Sequence, residues 1–310
     1  VPMIQTIHGK SRWRRVEFAV VVMAANDMAI LPHSKRGHGV VHLRSLDIAS
    51  SLGVHRSCAA ARHILPTVDS VCTANAVLRE LGDNRPPIVI LTGAGISAES
   101  GLMTFRGNGG LWEGHRVEDV ATPEAFMRNP ELVHRFYNER RSRLQAADVE
   151  PNAAHMALAM LESRWPTSVT VITQNVDNLH ERGGSANVIH MHGELMKIRH
   201  ADTGEVRHWQ VDCDATTLDG RWRPHIVWFG EAILEPEIIT ETLRAAGLFL
   251  CIGTAGQVYP AAGFVHETAG PSVEFNLEPT AITAAFGHSL HGPAAATLPG
   301  FVEALMMAAG

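Results

Sequence analysis

The chain of 310 residues has little cysteine, no excess of positive charge and no long apolar run, and each shortage excludes something. Four cysteines, Cys58, Cys72, Cys213 and Cys251, lie far apart and form no C-x-x-C pair. That spacing argues against a disulfide framework and fits the reducing cytosol, so a cytoplasmic location is expected. A formal charge of −6 speaks against nucleic acid or an acidic membrane as partner of the whole chain. No apolar stretch reaches the length of a membrane span. The hydrophobic share is 45%, enough for a sizeable core in one large domain or two smaller ones.

The first eighty or so residues differ from the rest. They are rich in Arg, His, Ser and Ala, and poor in acids between Leu31 and Leu65. "RWRRVEFAVVVMAA" sets a basic cluster before an apolar run, but Glu17 and Asp27 interrupt the secretory pattern. Residues 1–84 are therefore expected to be a weakly ordered extension ahead of a folded region, 85–310.

From Arg85 onward, short β-branched runs alternate with helical patterns. "PPIVILTGAG", "SVTVITQNVD", "LFLCIGTAGQVYP", "SVEFNLEP" and "PHIVWFGE" read as five strands. Helices are expected over Pro123–Gln145, Ala153–Leu161, Pro236–Ala246 and Pro299–Met307. The alternation predicts an α/β fold, a Rossmann-like parallel sheet with helices on both faces. Ligands of such sheets bind beyond the carboxyl ends of the strands, where the polar clusters of this chain fall. Gly93 and Gly95 after the first strand allow a tight turn and close approach to a phosphate. Ala98 stands where the dinucleotide fingerprint needs a third glycine, so the pattern is not that of a standard dehydrogenase.

The segments "GAGISAESGLMTFRGNGGLW", "TQNVDNLH", "HMHGEL", "WFGE", "GTAGQVYPAAGF" and "NLEP" occur in that order. Together they resemble the sirtuin family of NAD-dependent protein lysine deacylases, nearest to its class III, CobB-type bacterial branch. The resemblance runs from about Arg85 to the C-terminus. It implies NAD as cofactor, acylated-lysine proteins as substrates and a monomer. Gly93, Ala94 and Gly95 would cradle the pyrophosphate, and Ile96, Ser97 and Glu99 would also bind the cofactor. Phe105 and Arg106 would lie in the loop that covers the nicotinamide ribose, and Thr104 and Trp112 would also bind the cofactor. Gln174, Asn175 and Asp177 would hold that ribose and the nicotinamide pocket; Gly253, Thr254 and Ala255 would meet the phosphate and adenosine side, Asn276 and Glu278 the adenosine ribose, and Ala294 would also bind the cofactor. Ala255 replaces a frequent Ser. His192 would be the general base, suited by a pKa near neutrality, with His190 as the neighbouring alternative. Val227, Trp228, Phe229 and Gly230 would pair with the substrate backbone as an added strand.

Tyr137 and Arg140 in "YNER" stand three apart and share a helix face. A charge run of this kind is ordinarily a solvated face. The resemblance implies instead that the pair reads acidic acyl groups, Arg140 offering a forked donor set and Tyr137 a hydroxyl. The implied activity is removal of succinyl, malonyl and acetyl groups, with release of nicotinamide and O-acyl-ADP-ribose. Two other readings stand beside it, a hydride-transfer dehydrogenase and a degenerate, non-catalytic NAD or ADP-ribose binding module. The resemblance also places a small helical module at about 106–152 and a shortened zinc module at about 197–224. Most relatives hold zinc with two cysteine pairs; here the segment has only Cys213, and loss of the metal is expected. A rebuilt site on His200, His208, Cys213 and Asp214 is the alternative. Trp112 and Phe126 are expected to pack the helical module, and Cys251 to fill the core.

Overall fold

A computed structural model of the protein describes residues 67–104, 111–112 and 114–307. All of them fall in the compact unit Ala60–Gly310. Thr67 starts the first helix, α1 (Val68–Leu81), its hydroxyl accepting from the Ser70 N–H at 3.2 Å. Ala74, Val77 and Leu81 recur at helical spacing and enter the core. Part of the stretch assigned to the extension is thus an integral helix, and the folded region begins before residue 85.

The chain continues through β1 (Ile88–Thr92), a 3₁₀ turn (Ala94–Ser100), and a two-stranded hairpin of β2 (Leu111–Trp112) and β3 (His115–Arg116). Three helices follow: α2 (Val117–Val120), α3 (Pro123–Arg128) and α4 (Pro130–Leu144). After α5 (Ala153–Arg164) come β4 (Val169–Thr173), α6 (Leu179–Arg182), β5 (Val188–His190) and β6 (Gly193–His200). The next elements are β7 (Val206–His208), β8 (Trp222–Ile226), α7 (Pro236–Ala245) and β9 (Leu248–Ile252). β10 (Ser272–Asn276), β11 (His288–His291) and α8 (Ala294–Met307) complete the chain.

Six strands form one parallel sheet in the order β11-β10-β9-β1-β4-β5. Every residue of β1, β4 and β9 is buried, because helices cover both faces. Ile88, Ile90, Val171 and Leu250 face α1, α5 and α8, whereas Val89, Leu91, Phe249 and Cys251 face α7. Cys251 is a core residue, as expected.

The expected helix Pro123–Gln145 is two helices. Asn129 leaves helical geometry (φ −150°, ψ 76°) ahead of Pro130, and its side chain accepts from the Leu132 N–H to cap α4. The expected fifth parallel strand also belongs elsewhere. β8 pairs antiparallel with β6 in a separate sheet of order β7-β6-β8. Its apolar pattern revealed a strand but not the sheet. α8 begins five residues before Pro299, which it contains. Among the described residues no helix is long and apolar enough to cross a membrane.

Candidate functional site

β4, β1, β9 and β10 lie side by side, and their carboxyl ends carry the polar residues singled out above. The loops after β1 and β9 are stitched together: Gly93 N–H donates to the Ile252 carbonyl at 2.9 Å and Gly95 N–H to the Gly253 carbonyl at 2.8 Å. A Cβ on Gly95 would stand 2.6 Å from the Gly253 Cα, so only glycine permits the approach. These two N–H groups are spent within the chain, and the glycines serve loop apposition.

Beyond β4, Gln174 Nε2 donates to the Thr254 hydroxyl at 3.0 Å, and Asn276 Nδ2 donates to the Thr254 carbonyl at 2.7 Å. Asn175 Nδ2 reaches the Gly93 carbonyl and the Ser97 hydroxyl, both at 3.2 Å. Ser97 in turn donates to Asp177 Oδ2 at 3.0 Å. Asp177 Oδ1 also accepts the Leu179 N–H at the start of α6, and burial pushes its carboxyl above the usual range despite that bond.

His192 Nδ1 lies 3.1 Å from the Gln174 carbonyl. A carbonyl only accepts, so Nδ1 carries the proton and Nε2 keeps a lone pair. Burial lowers the His192 pKa, opposed by that bond, which favours the neutral ring with its Nε2 lone pair available. His190 is occupied differently: its Nε2 pairs with Glu181 Oε1 at 2.6 Å. Burial works to lower its pKa, but the Glu181 partner prevails and raises it. A histidine whose Nε2 is already committed to a carboxylate is a poor base, so the geometry favours His192 over His190.

Beneath this cluster lies a chain absent from the sequence reading. Asn175 N–H donates to the Thr173 hydroxyl, which accepts from Thr92 at 2.8 Å. Thr92 has then used its proton, so at 2.9 Å it accepts from His180 Nε2–H. His180 packs edge-on against His155, ring centroids 5.0 Å apart. Its signal was the "LH" that closes "TQNVDNLH".

Other expected cofactor residues sit apart. Glu99 Oε2 accepts the Ala295 N–H at 2.8 Å, capping α8 next to Ala294. Ala255 and Glu278 are exposed. Phe105 and Arg106 lie outside the described residues, with Thr104 at their edge. Trp112 joins the helical module: its ring stands 5.1 Å from Phe136 and 6.1 Å from Tyr137.

A second cluster surrounds α4. Tyr137 is fully buried and Arg140 is 6% exposed, so they are not a solvated face. Arg140 Nη1 donates to the Phe136 carbonyl, and its guanidinium lies 3.1 Å from the Phe136 ring centroid and 5.5 Å from that of Trp112. Trp228 Nε1–H donates to the Tyr137 hydroxyl at 3.0 Å. Phe126 packs on Trp228 at 5.3 Å. The N–H groups of Val227, Trp228 and Phe229 bond to His192, Glu231 and Ala121, so a peptide laid along them must use carbonyls.

Residues 197–224, expected as a shortened zinc module, fall in the three-stranded sheet β7-β6-β8 and its loops. Asn138 on α4 holds Cys213 with two backbone bonds, donating to its carbonyl at 2.8 Å and accepting its N–H at 3.0 Å. His200 uses both ring nitrogens, with Asp219 on one side and the Asp202 and Thr203 N–H groups on the other. Among the described residues no three His, Cys, Asp or Glu side chains come together as a metal site, so His200, His208, Cys213 and Asp214 do not assemble into one.

Residues 93–260 match the Sir2 family. The NAD-dependent protein deacylase of Yersinia pestis is 51% identical over 245 residues, covering 76% of this chain and 87% of that protein. Its namesake in Escherichia coli strain K12 is 52% identical over 231 residues, covering 72% and 83%. A Sir2 homologue solved as an NAD complex superposes with a TM-score of 0.68 at 33% identity, over 80% of this chain and 98% of its own. Sir2Af2 bound to a myristoylated histone peptide superposes at 0.61 with 28% identity, over 78% and 98%.

Proposed function

The chain belongs to the Sir2 family of NAD-dependent protein deacylases, and from that premise we propose that it removes succinyl, malonyl and acetyl groups from protein lysines. The products are free lysine, nicotinamide and O-acyl-ADP-ribose. The observation that carries the acyl class is the placement of Tyr137 and Arg140 together on α4, buried among the rings of Trp112, Phe136 and Trp228. A guanidinium set among aromatic rings beside a tyrosine hydroxyl offers a forked, permanently charged donor set that suits an acyl chain ending in a carboxylate.

The donor set at the strand ends suits NAD. Amide, hydroxyl and carboxylate groups of Asn175, Ser97, Asp177, Thr254 and Asn276 lie along four adjacent strand ends, matching the ribose and phosphate oxygens of a dinucleotide. NAD supplies a nicotinamide–ribose bond that breaks and a ribose that receives the acyl group. The chain's own work is positional and acid–base. Asn175 and Asp177 orient the ribose, and His192 Nε2 accepts a proton from a ribose hydroxyl while Nδ1–H stays anchored to Gln174. The segment Val227–Gly230, directly after β8, receives the substrate backbone, and Tyr137 and Arg140 receive the acyl terminus.

Nicotinamide release with matched acetyl- and succinyl-lysine peptides tests the assignment. Arg140→Met is expected to lower kcat/KM for succinyl by about 10- to 100-fold, the value of a charge-assisted hydrogen bond, and to retain deacetylation. Parallel loss of both activities, or of neither, refutes the carboxylate-reading role. Absence of turnover by folded wild type supports the binding-module alternative.

A further inference from the structure

The bond between Trp228 and Tyr137 joins residues 91 positions apart, and both are nearly inaccessible to solvent. An indole N–H can only donate, so the Tyr137 oxygen is the acceptor. A phenol has a single proton, and with its oxygen engaged by Trp228 that proton is left to point elsewhere.

Trp228 itself is held from several sides. The Arg223 guanidinium stacks 3.3 Å from the centre of its ring. Glu231 holds Arg223 with both oxygens, at 2.7 and 2.9 Å, and accepts the Trp228 N–H at 2.8 Å. Arg199 closes on the same carboxylate at 2.8 and 2.9 Å. Phe126 covers another part of the indole. The cation over the ring also strengthens the indole N–H as a donor. Burial raises the Tyr137 pKa, so the hydroxyl remains protonated across the working range.

We propose that Trp228 is a positioning residue that sets acyl specificity: its indole N–H occupies the Tyr137 oxygen and commits the Tyr137 proton to donation. The reader then presents donors from both Tyr137 and Arg140 and favours dicarboxylic acyl groups, whose terminal oxygens only accept. This rests on the carboxylate-reading role of α4. It adds that the segment after β8, which receives the peptide, also selects the acyl group.

The test is a double-mutant cycle on the succinyl-to-acetyl ratio of kcat/KM. Trp228→Phe keeps an aromatic ring beneath Arg223 and against Phe126 but deletes the N–H. It is expected to lower the ratio roughly 2- to 10-fold, the range of one neutral hydrogen bond. In a Tyr137→Phe background the same replacement is expected to change the ratio less than about 2-fold, because the bond no longer exists to lose. A role in packing alone gives additive effects, and that result overturns the proposal. So does an unchanged ratio in Trp228→Phe when Arg140→Met abolishes the succinyl preference. An unchanged ratio in Arg140→Met instead overturns the carboxylate reading and this inference with it. Should Trp228→Phe fail to fold, benzothienylalanine at position 228 replaces the N–H with sulfur in a ring of the same shape, and the same criteria apply.

Discussion

His155 and His180 are 0% and 1% exposed and lie behind the strand ends that carry the site. Burial lowers the pKa of His155 to about 4; burial, followed by the nearby His155, lowers that of His180 to about 3. Both folded values lie beneath the unfolded value of about 6.5. Between the two values the unfolded chain binds more protons than the folded one. The full stability is therefore present above about pH 6.5 and is lost as the pH falls toward 4 and 3. At pH 5 each ring has lost about 2 kcal/mol, or about 4 kcal/mol together, from a total that is typically about 5–15 kcal/mol. Urea unfolding followed by tryptophan fluorescence at pH 7.5, 6.0 and 5.0 reads the effect. His155→Gln isolates one share. His155 occupies the third position of a capping box, where its Nδ1 accepts the Asn152 N–H, and glutamine serves that position well. The variant is expected to fold, and its stability should fall less between pH 6 and 5, by about 1.2 kcal/mol. His190 titrates with the opposite sign because its folded pKa is raised, but it is present in both proteins and cancels. Identical slopes for wild type and variant would refute the reasoning.

Gly95→Ala drives a methyl group into the Gly253 backbone at 2.6–2.7 Å. We expect a loss of about 1–3 kcal/mol in stability and a several-fold rise in the KM for NAD, checked by thermal melting and initial rates; an unchanged KM would separate the loop pair from cofactor binding. Glu99→Ala removes the carboxylate that accepts Ala295 N–H at the start of α8. Its urea midpoint should drop by about 1 kcal/mol equivalent, and Glu99→Gln, which keeps an acceptor oxygen, should recover most of it.

The central strands were legible because burial on both faces forces continuous β-branched runs, as in "IVILT" and "VTVIT". The edges were not. β5 has three half-buried residues, and β11 reads "HSLH", with no apolar run to mark it. The helix α1 carried a visible cap and spacing at Thr67, Ala74, Val77 and Leu81, but its compositionally unusual surroundings masked them. The Asn129–Pro130 step was a legible breaker inside the expected long helix. At the site, the ordered motifs picked out His192, Asn175 and Asp177. The register that sets Thr92 opposite Thr173, and so passes His180 through to Asn175, exists only once β1 and β4 pair. Tyr137 and Arg140 were legible as one helix face, but helix periodicity cannot say whether that face meets water or Trp228.

The strand order also acts as a ruler. From β4 to β1, β9 and β10 there are three inter-strand steps, and at about 4.8 Å each they total about 14 Å. A ligand touching both Asn175 at one end and Asn276 at the other must therefore reach about that far. Nicotinamide alone or a mononucleotide falls short, so each can occupy only its own end of the scale. Fragments of the cofactor should thus bind side by side rather than in competition, with affinity gained only when a single molecule spans all four strands.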